Sequence, residues 1–129
     1  MLNIIRVHHI AVIASDCQNS KRFHTDVLGL KIIAENFRRE RNSYKLDLRV
    51  SDTERIELFS FPGAPARPNR PEACGLRHLA FQVPDLDEAV SYLCSRHVQV
   101  EPVRVDEHTG KRFTFFADPD NLPLELYEL

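Results

Sequence analysis

The sequence predicts an α+β protein in which one β-α-β-β-β unit occurs twice, and three observations carry that expectation. The first is a repeat. Residues 6–30 (RVHHIAVIASDCQNSKRFHTDVLGL) and 75–100 (GLRHLAFQVPDLDEAVSYLCSRHVQV) share a pattern at an offset of 69, which pairs His9 with His78, Ala11 with Ala80, Asp16 with Asp85 and Phe23 with Tyr92. The second is that R-I-E-L at 55–58 matches P-L-E-L at 123–126, so that Glu57 meets Glu125 at an offset of 68. Long-period self-similarity of this kind marks duplication of a supersecondary unit. The third is a helix signal: Asp85 stands three residues before Glu88 in capping-box spacing, and Leu86, Ala89, Val90 and Leu93 recur at i, i+3, i+4 and i+7.

Each element follows in order. The chain opens with a short strand that carries His9 and ends at Asp16, a natural N-cap. The helix after it is less regular than its counterpart, but Phe23 and Val27 share a face and Gly29 supplies a left-handed stop. Strands are expected over about 31–39, 44–50 and 55–61, with a turn at Arg41-Asn42-Ser43. Prolines then crowd residues 61–75, where the loss of backbone donors rules out helix and central strand. The second copy repeats the plan, with strands over about 98–106, 111–117 and 122–128. Turns fall at His108-Thr109-Gly110 and Asp118-Pro119-Asp120-Asn121. Residues 1–129 are therefore read as a single domain of two modules, about 4–62 and 74–129, joined by the proline-rich segment 62–73. So few helices cover one face of each sheet and leave the other free, giving cupped mixed sheets.

Composition narrows the function. Of 129 residues, 43% are apolar and 28% charged, with a formal net charge of −2, which argues against a nucleic-acid partner. No apolar run approaches the roughly 20 residues needed to cross a bilayer. The start, MLNIIRVHHI, lacks the features of a signal peptide and reads as the first strand, so a cytoplasmic location is expected. Cys17, Cys74 and Cys94 form no C-x-x-C pair and read as reduced thiols serving as small buried hydrophobes.

Strand parity places the polar residues. Ile10 and Val12, and Leu79, Phe81 and Val83, belong on the helix-covered face, which turns His9 and His78 to the other side. Glu57 lies between Ile56 and Leu58, and Glu125 between Leu124 and Leu126, so both glutamates also face away from the helices. A carboxylate in such apolar surroundings is costly without a counter-charge. Two imidazoles and two carboxylates at equivalent places in two copies carry −2, which one divalent cation neutralises. The donor set suits Ni, Co, Zn, Mn or Fe(II). Of the other histidines, His8 falls on the opposite parity, while His24, His97 and His108 are expected to be exposed on helix or turn positions.

With these residues in place, the sequence resembles the vicinal oxygen chelate superfamily, the glyoxalase/bleomycin-resistance/dihydroxybiphenyl-dioxygenase fold, and within it the glyoxalase I (lactoylglutathione lyase) branch. The resemblance runs from Val7 to Tyr127. It is carried by H-H-I-A-V at 8–12, D-V-L-G-L at 26–30, I-E-L-F at 56–59, G-L-R-H-L-A-F at 75–81 and D-P-D-N-L-P-L-E-L at 118–126. It implies a metal site of His9, Glu57, His78 and Glu125, with nickel or zinc foremost and Co, Mn or Fe as alternatives. The activity it implies is a lyase or isomerase reaction on a hemithioacetal or similar 2-oxoaldehyde adduct through an enediolate. Glu125 would act as the proton-transfer base, and Glu57 as its quasi-symmetric counterpart.

A homodimer is also implied, in which His9 and Glu57 of one subunit meet His78 and Glu125 of the other. Other branches of the superfamily are thiol transferases, epimerases, dioxygenases and non-catalytic small-molecule-binding modules. Four residues after each first-half ligand, where glyoxalase I enzymes carry arginine and asparagine, this chain has Ile13 and Phe61. Substrate-binding candidates are instead Arg67, Arg70 and Arg77 around the proline segment, with Lys111 and Arg112, whose donors suit a carboxylate or phosphate; the partner that the resemblance implies is a small-molecule substrate such as a glutathione adduct.

Overall fold

The computed structural model describes residues 1–129, which divide into two units, Met1–Ala66 and Arg67–Leu129. The first unit runs β1 (Ile10–Ala14), α1 (Cys17–Arg22), β2 (Lys31–Arg38), β3 (Ser43–Arg49) and β4 (Arg55–Ser60). The second runs β5 (Leu79–Val83), α2 (Leu86–Ser95), β6 (Arg104–Val105), β7 (Arg112–Ala117) and β8 (Pro123–Glu128). Each unit makes one four-stranded mixed sheet, ordered β1-β4-β3-β2 in the first and β5-β8-β7-β6 in the second. The chain is thus α+β with few helices, as the repeat implied. No helix is long and apolar enough to cross a membrane.

The first strand of each unit pairs in parallel with the last, and the remaining pairings are antiparallel. A parallel pair needs a crossover longer than a hairpin, which the helix and the two middle strands supply. The register puts Ala11 opposite Glu57 in one unit and Ala80 opposite Glu125 in the other. Each glutamate therefore sits two residues along from its unit's histidine. His9 and His78 lie just before β1 and β5 rather than inside them.

Both helices are capped as the sequence suggests. The Asp16 carboxylate accepts from the Asn19 N–H at 2.9 Å, and Asp85 accepts from the Glu88 N–H at 2.9 Å. After α1 the helix loosens into a π-helical turn over Phe23–Val27 and stops at Gly29, φ 73°. The face it buries consists of Cys17, Ser20 and His24, a small and polar stripe at i, i+3 and i+7. His24 is thus a core residue, contrary to the exposure expected of it, and its Nδ1 lies 2.8 Å from the Ser20 carbonyl. Of the three cysteines only Cys17 is buried, while Cys74 and Cys94 are exposed.

The sheet alternation fixes which face is free. Val12, Ala14, Leu46, Leu48, Ile56 and Leu58 are buried in the first unit, and Leu124, Leu126, Phe116 and Thr114 in the second. Each fully buried leucine or isoleucine contributes about 1.5–3 kcal/mol of transfer free energy. That cost of exposure pins the register, since a slip of one residue would turn these side chains out and the glutamates in. The sixth strand is much shorter than the 98–106 expected. Pro102 has no N–H, and the preceding chain is held by single bonds instead: Glu101 N–H to the Phe115 carbonyl at 2.9 Å, and Thr114 Oγ1 to the Glu101 carbonyl at 2.6 Å. The last turn forms as read, with Asn121 at φ 64° and the Asp118 carboxylate accepting from the Asp120 and Leu122 N–H groups, each at 2.8 Å.

Candidate metal centre

On the face turned away from its helix, each unit holds one histidine against one glutamate. His9 Nε2 lies 3.5 Å from Glu57 Oε2, and His78 Nε2 lies 2.9 Å from Glu125 Oε2. Two ligands each about 2.1 Å from one ion and at right angles stand about 3 Å apart, so both pairs are spaced as neighbouring ligands would be. The glutamates are the more enclosed partners, their side chains 17% and 11% exposed against 40% and 29% for the histidines. His9 turns its Nδ1 to the His8 ring at 2.9 Å. His78 packs edge-to-face on Phe115 and keeps its Nδ1 buried without a hydrogen-bond partner, a cost of the kind that functional sites retain. No three His, Cys, Asp or Glu side chains gather as a complete ligand set. Each unit contributes a pair, and a divalent ion fits each pair by donor type and spacing.

The two pairs have different neighbours. Beside Glu57, β3 presents Lys45 and Asp47, with Lys45 Nζ 3.4 Å from Glu57 Oε1 and 3.3 Å from Asp47 Oδ1. Partial burial pulls the Lys45 ammonium down, but the hydrogen bonds and charges of Asp47 and Glu57 outweigh it, and its pKa lies above the ordinary lysine value. At the equivalent places beside Glu125, β7 presents Phe113 and Phe115. Phe113 stacks on Tyr127, and the Arg104 guanidinium lies over both phenylalanine rings at 5.0 and 5.5 Å.

A cleft of ≈ 1040 Å³ opens beside His78 and Phe115, and Arg67, Arg70, Arg77 and Arg104 line it. Arg67 is partly spent on structure, donating to Asn69 Oδ1 and to the Leu76 and Arg77 carbonyls. Arg70 pairs with Glu72 at 2.7 Å. Lys111 and Arg112, the other two substrate candidates, are not among the residues that line this cleft. Lys111 donates to the Leu129 carbonyl, and Arg112 is clamped between Glu128 and Asp87. These carboxylates raise the Arg112 guanidinium's pKa further, Glu128 most strongly. Sequence reasoning missed Lys45, Asp47 and Arg104. The first two were legible in principle, because Leu46 and Leu48 alternate with them and turn them onto the face of Glu57.

A duplicated chain of this topology, with one His–Glu pair on the open face of each sheet, is built as a vicinal-oxygen-chelate protein. The chain belongs to the Glyoxalase/Bleomycin resistance protein/Dioxygenase superfamily, whose family pattern matches residues 6–126. It is 58% identical over 128 residues to the uncharacterized protein YaeR of Escherichia coli (strain K12), covering 99% of each chain. It is similar to the crystal structure of a glyoxalase family protein from Enterococcus faecalis, at 47% identity and a TM-score of 0.90, covering 96% of this chain and 98% of that one. A 2-epi-5-epi-valiolone epimerase from Actinomyces sp. is 28% identical over 146 residues, covering 97% of this chain and 80% of the epimerase. Lactoylglutathione lyases are among the distant members of the superfamily that match.

Proposed function

We propose that this protein is a metal-dependent lyase or isomerase of the glyoxalase I type, acting on the carbon beside a carbonyl in a small oxygen-rich substrate such as a hemithioacetal. The observation that carries the reading is the His–Glu pair set twice at ligand spacing, 3.5 and 2.9 Å, on matching positions of two sheets. His9, Glu57, His78 and Glu125 would together hold one divalent ion, nickel or zinc foremost. Since each unit offers two of the four, the complete set is proposed to form in a homodimer, with the first pair of one subunit facing the second pair of the other. When bound, the ion supplies Lewis acidity, which eases loss of a proton beside a carbonyl.

The chain's own residues handle that proton. Glu125, buried among Leu124, Leu126 and Phe115, is the proposed base: its carboxylate takes the proton and returns it to the neighbouring carbon. His78, 2.9 Å away, fixes the carboxylate's orientation. Glu57 is its counterpart, tied to Lys45 and so less free to move a proton. Phe113, Phe115 and Tyr127 form an aromatic wall beside the second pair. Arg67, Arg70 and Arg77 in the cleft are the proposed hold on an anionic end of the substrate, whereas Lys111 and Arg112 are engaged by the Leu129 carbonyl and by Glu128 and Asp87. A cytoplasmic site of action is proposed with this chemistry.

The test is direct. Nickel- or zinc-loaded protein mixed with methylglyoxal and glutathione should form the thioester, followed by its ultraviolet absorbance. Failure with every divalent metal would sink the glutathione-dependent form. A second reading, an epimerase, is favoured by Ile13 and Phe61: neither offers a donor for a tripeptide. Ile13 is 57% exposed on the open face of β1. Epimerisation uses the same removal and return of a proton beside a carbonyl, and exchange of that proton with deuterated water, without thioester, would favour it.

A further inference from the structure

The duplication lets each unit serve as a control for the other, and the two differ most at one place. On the site face of β7, next to Glu125, stand Phe113 and Phe115; on the site face of β3, next to Glu57, stand Lys45 and Asp47. The fold does not need charge there, because the second unit forms the same strand pairing with aromatic rings. Keeping a lysine side chain only 27% exposed, at the centre of a strand and against the Phe59 ring, has a desolvation cost that Asp47 and Glu57 offset.

We propose that Lys45 is a specificity-determining residue that reads an anionic oxygen of the substrate, a carboxylate in the first instance, and that Asp47 positions it. The inference rests on the metal-dependent reading above, and it narrows the substrate class of that site to a carbonyl compound that carries a carboxylate, as an oxo acid or a glutathione hemithioacetal does, rather than a neutral dione. The Lys45 ammonium has three donors and no rigid plane. Asp47 Oδ1 at 3.3 Å and Glu57 Oε1 at 3.4 Å pair with it as ions and leave its donors without a fixed acceptor. A divalent ion drawing on the Glu57 carboxylate weakens that side's hold on Lys45, while Asp47 keeps the ammonium on the site face. The ammonium, on the same face as Glu57, is then available to an anionic oxygen of the substrate. In the second unit the same register position, Phe113, can only pack. The two pairs therefore differ in surroundings: charged beside His9 and Glu57, aromatic beside His78 and Glu125.

The experiment compares two probes of nearly the same shape. Pyruvate and diacetyl both present two vicinal oxygens, and differ in that a carboxylate oxygen replaces a methyl group. Cobalt binding to the full-length protein is measured first by calorimetry, and then each probe is titrated into the cobalt-loaded protein by its visible spectrum. Lys45→Met should weaken pyruvate about tenfold and leave diacetyl within about twofold, and Lys45→Arg should keep most of the pyruvate affinity. Asp47→Asn should give a smaller loss for pyruvate alone. Parallel changes for the two probes, or no change for pyruvate, would overturn the role of Lys45 while leaving the metal site standing. If wild-type protein bound no cobalt, the metal-dependent reading would fall and this inference with it.

Discussion

Replacing Glu125 by glutamine should pull metal affinity and intrinsic stability apart. The Glu125 side chain is 11% exposed, 2.9 Å from His78, between Leu124 and Leu126 and paired across strands with Phe115. Glutamine keeps an acceptor at the same place for the His78 ring and removes a buried negative charge. Without metal, the melting free energy should therefore change by less than about 1 kcal/mol. With metal the sign is clear, because an amide oxygen is a poor substitute for a carboxylate. Loss of one ligand charge should weaken binding by about 100-fold, which is about 2.7 kcal/mol. At a free-ion concentration a thousand times the wild-type dissociation constant, metal adds about 4 kcal/mol of stability, so the variant should retain about a third of it. At about 3–5 °C per kcal/mol for a chain of this size, the metal-induced rise in melting temperature should shrink by about 8–14 °C. Differential scanning fluorimetry with and without nickel reads both quantities. An undiminished metal-induced shift in Glu125→Gln would refute Glu125 as a ligand.

Three further outcomes are expected. Subunits carrying His9→Ala with Glu57→Ala, mixed with subunits carrying His78→Ala with Glu125→Ala, should regain one high-affinity ion per heterodimer by calorimetry, although neither parent binds; no recovery would argue against shared sites. His97 sits at φ 60°, past the end of α2, where glycine is the natural occupant, so His97→Gly should raise stability by about 1 kcal/mol in urea unfolding. Hydrogen bonds from Arg112 hold the Glu128 carboxyl below its ordinary pKa. A depressed carboxylate stabilises the fold above its unfolded value near 4.3 and loses that contribution as pH falls through the folded value. Arg112→Met should accordingly flatten the melting-temperature curve between pH 6 and pH 3, and an unchanged acid limb would count against the clamp.

Much of the architecture could be read in the sequence, because it rests on repeated side-chain patterns. The constant spacing of His9 and His78, with the I-E-L and L-E-L triplets, marked the repeated unit and, through strand parity, the face on which these residues stand. What escaped reading had no periodic signature. The buried stripe Cys17, Ser20 and His24 is helical in spacing but not apolar, so hydrophobic periodicity passed over it. The shortness of β6 goes with Pro102, and Glu101 ahead of it is held to β7 by two isolated hydrogen bonds, which no strand pattern foreshadows. At the site, the side on which the His and Glu residues stand followed from parity, whereas Lys45, opposite Phe59 in the register, is joined to Glu57 only by the reach of its side chain. Basic residues near the chain end looked equally free in sequence, but Arg112 proved to be bound on both sides by carboxylates.

The metal site itself is tested most directly by metal content. Protein purified without chelators, then reloaded with nickel or zinc and desalted, is analysed by elemental mass spectrometry against protein concentration. The expected result is one divalent ion per chain, reduced to near zero when His9 and His78 are both replaced by alanine. Retention of no ion from nickel, zinc, cobalt, manganese or iron(II), or retention unaffected by loss of both histidines, would contradict the assignment of His9, Glu57, His78 and Glu125 as its ligands.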